Sequence, residues 1–175
     1  FIPIGRFSGQ TYTDYAVKSN TMYEYFIRSH SGSYADSVKR PIKIKYKGSL
    51  LSEIGAPGDY IELYKSDSDW YNGIKTKHSN EAELIQYEGR TYPVKEAGTH
   101  KETEIGTSFF LYNANAAKIE SLYNINGIYL FRNSEVCFCC EISDISYENT
   151  LFNIGKNVEI SLSRIDHSLE VRFDV

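Results

Sequence analysis

K-R-P-I-K-I-K-Y-K-G-S-L-L-S-E-I-G-A-P-G-D-Y-I-E-L-Y-K, residues 39–65, runs on through D-W-Y-N-G-I-K-T-K to Lys77, and this stretch decides the fold class. Pro41 to Lys47 alternates strictly. Ile42, Ile44 and Tyr46 take one face of an extended chain and Lys43, Lys45 and Lys47 the other, because successive side chains of a strand point to opposite sides. Ser49 to Ile54 reads as a short turn of helix stopped by Gly55. Ala56-Pro57-Gly58-Asp59 is a tight turn into a strand from Tyr60 to Tyr64. Asp67-Ser68-Asp69 turns the chain again, into a strand from Trp70 to Lys77.

Outward from this core the same grammar continues. Tyr23, Tyr25 and Ile27 alternate as in a strand, although Asp14 followed by Tyr15 to Arg28 also suits a helix start. Glu83 to Val94 reads as a hairpin about Glu88-Gly89. Residues 96–106 are polar and acidic, the pattern of a loop, and Thr107 to Tyr112 is apolar. Ala114 to Tyr123 is the one clear helix, capped by Asn113 or Asn115. A second hairpin joins Gly127–Arg132 to Glu135–Ile142 through Asn133-Ser134. Strands at Val158–Leu162 and Leu169–Val175, with a turn near Asp166-His167, close the chain. Nine or ten short strands and one or two short helices predict a β-dominated α+β fold, a single domain over residues 1–175 shaped as a pseudobarrel of short antiparallel strands.

Composition agrees. Fifteen Tyr and nine Phe stand against one Met, and aromatic side chains favour pleated, half-buried surfaces. No apolar run is long enough to span a bilayer, and Phe1-Ile2-Pro3-Ile4 is not the start of a signal peptide. Net charge is −4, but it is unevenly placed. Residues 1–50 carry eight Lys/Arg and three Asp/Glu, a balance of +5, and residues 51–175 carry eleven and twenty, a balance of −9. Such polarity can steer an anionic partner to one face, and it also arises in an ordinary solvated surface. Cys137, Cys139 and Cys140 crowd into C-F-C-C, which suits reduced core thiols and a cytoplasmic address better than a disulfide framework.

Catalytic and metal patterns are incomplete. His30, His78, His100 and His167 are scattered, and Cys137 with Cys139 makes a half-site without further ligands. No cofactor is expected. Asp59, Glu62 and Lys65 have the D-x-x-E-x-x-K order of metal-dependent nucleases but scatter over both faces of one strand. Gly127-Ile128-Tyr129 resembles the first strand of the GIY-YIG nucleases. That family needs a second Tyr-Ile-Gly strand, and Val136 to Cys140 stands in its place, so the enzymatic alternative is a degenerate one.

The basic strand is the stronger lead. Lys39, Arg40, Lys43, Lys45 and Lys47 fall within nine residues, a cationic stripe of roughly 20 Å at the rise of a strand. It suits successive phosphates of a duplex, while Lys and Pro41 equally suit a protected edge strand. The order of basic strand, L-L-S-E-I-G, P-G-D and Y-I-E-L-Y resembles the middle of the pseudobarrel DNA-binding domains of plant transcription factors and of the effector domains of bacterial restriction endonucleases. The resemblance implies non-catalytic recognition of double-stranded DNA as the specificity part of a restriction or defence system, alongside a catalytic domain or partner protein. It implies contacts from Lys39, Arg40, Lys43, Lys45, Lys47, Trp70, Asn72, Lys75 and Lys77. Trp70 also fits the part of a core anchor. The alternative from another class is a protein-interaction or structural module, meeting its partner through the acidic remainder or a Tyr-rich face.

Overall fold

Short alternating runs separated by Gly, Pro and Asn build a strand-dominated chain. A computed structural model of the protein describes residues 4–5, 8–31, 33–63, 74–123, 127–149 and 154–167. In chain order the elements are β1 (Met22–Tyr25), β2 (Arg28–Ser31), β3 (Ser33–Asp36), β4 (Arg40–Lys43), β5 (Leu50–Glu53), β6 (Tyr60–Glu62), β7 (Ile74–Ile85), β8 (Val94–Tyr112), α1 (Asn113–Tyr123), β9 (Tyr129–Arg132), β10 (Cys137–Asn149) and β11 (Gly155–Arg164). The β-dominated class holds, and α1 lies where helix formers follow Asn113. No closed barrel is found among the described residues: each described sheet has an edge strand at either end, and the pairings β1–β4, β2–β3, β5–β6, β5–β9, β7–β8, β8–β11 and β10–β11 are antiparallel. The strand expected at Leu169–Val175 and the turn at Asp67-Ser68-Asp69 lie outside the described residues.

Two compact units interleave along the chain. The first comprises Phe1–Ser68, Tyr129–Phe138 and His167–Val175, and the second Asp69–Ile128 and Cys139–Asp166. In the first, β5 lies between β6 and β9, with Leu51 opposite both Ile61 and Phe131. Leu50, Leu51, Ser52, Ile61, Leu63 and all four residues of β9 are buried, and the Phe131 and Phe138 rings lie 5.5 Å apart. The helical turn expected at Ser49–Ile54 is therefore a strand. L-L-S carries no alternation because both faces of β5 are covered, and a short apolar run cannot by itself be told from a buried helical turn. Two small sheets, β1–β4 and β2–β3, complete this unit.

The second unit is the sheet β10–β11–β8–β7. Ile105, Thr107, Phe109 and Leu111 of β8 and Val158, Ile160 and Leu162 of β11 alternate into the core, with Leu162 opposite Ile105 and Val158 opposite Phe109. Helix α1 packs against β8 and β11 and buries Ala116 and Ile119. At Gly155 a Cβ would sit 2.4 Å from the Leu111 carbonyl oxygen, so glycine alone lets β11 start here. Residues 96–106 are no loop: they belong to the 19-residue strand β8. Up to Thr103 their polarity marks a two-stranded stretch outside the core, whereas Ile105 enters the core where β11 joins the sheet.

Candidate functional site

Strand β4 spans only the first half of the expected basic strand. It pairs with β1 in the register Met22↔Lys43, Tyr23↔Ile42, Glu24↔Pro41 and Tyr25↔Arg40. Beyond Lys43 the sheet ladder stops, and local contacts hold the chain instead. Asn20 N donates to the Ile44 carbonyl at 2.7 Å, and Tyr46 N donates to the buried Ser19 Oγ at 2.9 Å. Tyr46 Oη reaches the carbonyls of Val17 (2.9 Å) and Asn133 (3.2 Å), and burial, first of all, pushes its hydroxyl up to about 12.

Arg40 and Lys43 thus lie on opposite faces of a two-stranded ribbon, with Lys45 and Lys47 past its end. Arg40, Lys43 and Lys45 are exposed and make no ion pair among the described residues. Lys39 Nζ lies 3.9 Å from Glu24. Exposed apolar side chains sit among the cations: Met22 is 62% exposed and Ile42 44%. Lys75 and Lys77 belong to the second unit, on β7, where Lys77 Nζ pairs with Glu104 at 3.5 Å. Trp70 and Asn72 lie outside the described residues. The structure brings Lys39 to Lys47 into one segment and sets Lys75 and Lys77 on a different element.

Arg132 carries no sequence signature, yet it organises the first unit. It is 4% exposed and has no carboxylate partner among the described residues. Its guanidinium donates to the carbonyls of Tyr15 and Pro57, the latter at 3.2 Å, and lies over the rings of Tyr15 and Tyr60 at 5.6 and 5.8 Å. Its Nε has no acceptor. A buried guanidinium satisfied by carbonyls and ring faces ties distant segments together.

The most distinctive feature is the outer part of the β7–β8 hairpin. From Lys77↔Glu104 to Ile85↔Val94 the strands pair with a register shift between Asn80 and Ala82. At about 3.4 Å per residue this ribbon reaches 25–30 Å. The side chains described on both faces are largely exposed. Polar rungs link the strands: Lys77 to Glu104, His78 Nδ1 to Thr103 Oγ1 at 3.1 Å, and Ser79 Oγ donating to Glu102 at 3.0 Å. Leu84 (68% exposed) and Tyr92 (79%) stand near the tip, where Gly89 turns the chain at φ +82°. Glu83 faces Glu96 directly, and neither makes an ion pair among the described residues. Tyr87 Oη donates to Glu96, which, as the main cause, raises the tyrosine's affinity for its proton. Reading residues 96–106 as a loop hid this ribbon. The signal that could have found it is the alternation of Thr99, Lys101, Thr103 and Ile105 opposite the β7 sequence.

Other candidates resolve into structure. Cys139 and Cys140 are buried and Cys137 is half-buried, and none forms a disulfide among the described residues. Tyr129, of the G-I-Y resemblance, is 2% exposed in the core of the first unit. No helix among the described residues is long and apolar enough to cross a membrane.

No family model matches the chain, and no curated protein matches it. Among solved structures it is similar to a chain from the tail of an empty gene transfer agent particle of C6 symmetry, with a TM-score of 0.44, 9% identity, and 67% of this chain and 90% of that chain covered. It is similar also to a chain in the virion of a native gene transfer agent particle, with a TM-score of 0.42, 7% identity, and coverage of 68% and 92%. The expectation of a DNA-recognition domain in a restriction or defence system is corrected: the cations assigned to DNA divide between two units, Arg40 and Lys43 lie on opposite faces of their ribbon, and Lys39 and Lys77 sit beside carboxylates.

Proposed function

We propose that this chain is a structural, protein-binding module and that the outer β7–β8 ribbon is its binding element. The observation that carries the reading is a ribbon of 25–30 Å, by the strand rise of about 3.4 Å per residue, exposed on both faces. Ordering a residue's backbone costs about 1–2 kcal/mol, and an isolated two-stranded hairpin is marginal in water. This ribbon lacks a hydrophobic face of its own, so a surface that covers Leu84, Tyr87 and Tyr92 would stabilise it. Aromatic side chains with an apolar body and a polar tip are the usual anchors of protein interfaces. Strand β7 is also an edge strand, with backbone groups free to add a partner's strand.

Cross-linking of the full chain in extract of the producing cells, read by mass spectrometry, tests the proposal. A specific protein should cross-link to Lys77 or Lys95 on the ribbon, and Leu84→Asp with Tyr92→Asp should abolish those links. Links confined to other surfaces, or unchanged by the double substitution, would refute it.

A further inference from the structure

We infer that the free edge of β7 pairs with β7 of a second copy of this chain, antiparallel and two-fold about Ser79. The inference rests on the reading of the ribbon as a protein-binding element and goes on to name what it binds. Among the described residues β7 has a hydrogen-bonded neighbour on one side only, β8, and it ends the order β10–β11–β8–β7. Its outer edge runs unbroken from Ile74 to Ile85, without a proline. The register shift lies between Asn80 and Ala82, whose partners are Lys101 and Ala97, so the surplus residues fall in β8. A long edge of this kind is a template for another strand.

The residues of β7 select which strand fits. In I-K-T-K-H-S-N-E-A-E-L, residues 74–84, Lys75 and Lys77 precede Ser79 and Glu81 and Glu83 follow it at matching distances. Two antiparallel copies that cross at Ser79 set Lys75 opposite Glu83 and Lys77 opposite Glu81, and the two-fold axis makes each pair twice. These positions share one face, because residues two apart on a strand point the same way. On the other face the same register sets the half-buried Ile74 opposite Leu84, which is 68% exposed. Cross-strand pairs of unlike charge and of apolar side chains are what stabilise a sheet. Other registers lose them. A slip of one residue leaves no Lys opposite a Glu, a slip of two leaves a single kind of charge pair, and parallel strands in register set Lys on Lys.

The pairing also answers a conflict within the ribbon. Glu83 already faces Glu96 across β8, and Lys75 of the second copy would lie on its open side and relieve that repulsion. Because both copies use the same strand, the contact is isologous and ends at two copies.

Sedimentation velocity of the purified full chain tests this, and the wild type should dimerise. Lys75→Glu with Lys77→Glu leaves only carboxylates at these four positions, and Glu81→Lys with Glu83→Lys leaves only ammonium groups. Each variant alone should dimerise about tenfold or more weakly. Mixed in equal amounts, the two should form a heterodimer at least as tight as the wild-type dimer, since every opposed pair is again of unlike sign. Circular dichroism checks folding. Should a reversal fail to fold, Ser79→Cys supplies a second measurement. Directly opposed residues of antiparallel strands have Cα atoms about 4.5–5.5 Å apart, within disulfide reach. In air Ser79→Cys should therefore form a reducible dimer beyond any that the wild type forms, whereas Lys75→Cys, set opposite Glu83, should not.

Reversals that leave the dimer unchanged, a mixture that stays monomeric, or Ser79→Cys dimers no more abundant than those of Lys75→Cys overturn the inference. So does a wild-type chain that is monomeric at every concentration. If another protein then still cross-links to Lys77 or Lys95, the proposed function stands without this partner. A ribbon that contacts no protein at all sinks both.

Discussion

Replacing Glu83 should strengthen the outer β7–β8 ribbon. The magnitude follows from the register, which sets Glu83 directly across from Glu96. Opposed Cβ atoms of an antiparallel pair lie ~4.5–5.5 Å apart, which puts the carboxylates at about 6 Å. Two unit charges at that separation in water repel by ~0.7 kcal/mol. At 0.15 M salt the Debye length of ~8 Å cuts this by roughly half. Glu83→Gln should accordingly stabilise the β7–β8 ribbon by about 0.3–0.7 kcal/mol, and Glu83→Lys, which turns repulsion into attraction, by about 1 kcal/mol. Amide hydrogen exchange over residues 76–85 and 94–105, measured where the chain is monomeric, reads the change as a two- to fivefold slowing. The gain should shrink as salt is added. A ribbon that exchanges faster in Glu83→Lys, or a gain that salt leaves untouched, would refute the reasoning.

Two further predictions concern the first unit. Arg132→Ala removes the donors to the Tyr15 and Pro57 carbonyls and the stacking on Tyr15 and Tyr60, and should cost about 2–4 kcal/mol in urea denaturation. A loss below ~0.5 kcal/mol would mean that other contacts hold those segments. Tyr46 concerns alkaline pH. Its folded-state value of about 12 lies above the ordinary 10, so its contribution to stability is complete below pH 10 and is lost as pH rises toward 12. Burial pushes Tyr147 up to about 12 as well and raises Tyr25, so ultraviolet titration should show a late step that loses one tyrosine's amplitude in Tyr46→Phe, and an undiminished late step would contradict the assignment.

How much of this was legible beforehand varies by element. The second hairpin was readable because its turn is local: Asn133 Oδ1 accepts from the backbone N–H of Glu135 and Val136, and Asn133 N donates to the Val136 carbonyl. Helix α1 was readable from Asn113 and the helix formers after it. Strand β5 was not. Leu50-Leu51-Ser52 looks alike whether one face or both are covered, and its burial comes with its place between β6 and β9, strands from distant positions. The site fared less well. A row of lysines is conspicuous in sequence, whereas the ribbon mixes polar and apolar residues and carries no periodic apolar signal.

By itself the sequence determined the β-dominated class, the Asn133 turn, helix α1 and the imbalance of charge, because each depends on composition or on residues within a few positions of one another. The tertiary structure alone decided which strands lie buried on both faces, which hairpin stands uncovered, that Arg132 is enclosed, and that Glu83 meets Glu96. Those outcomes depend on which distant segments come together, and a side chain's burial and its neighbours are properties of that pairing rather than of the residue.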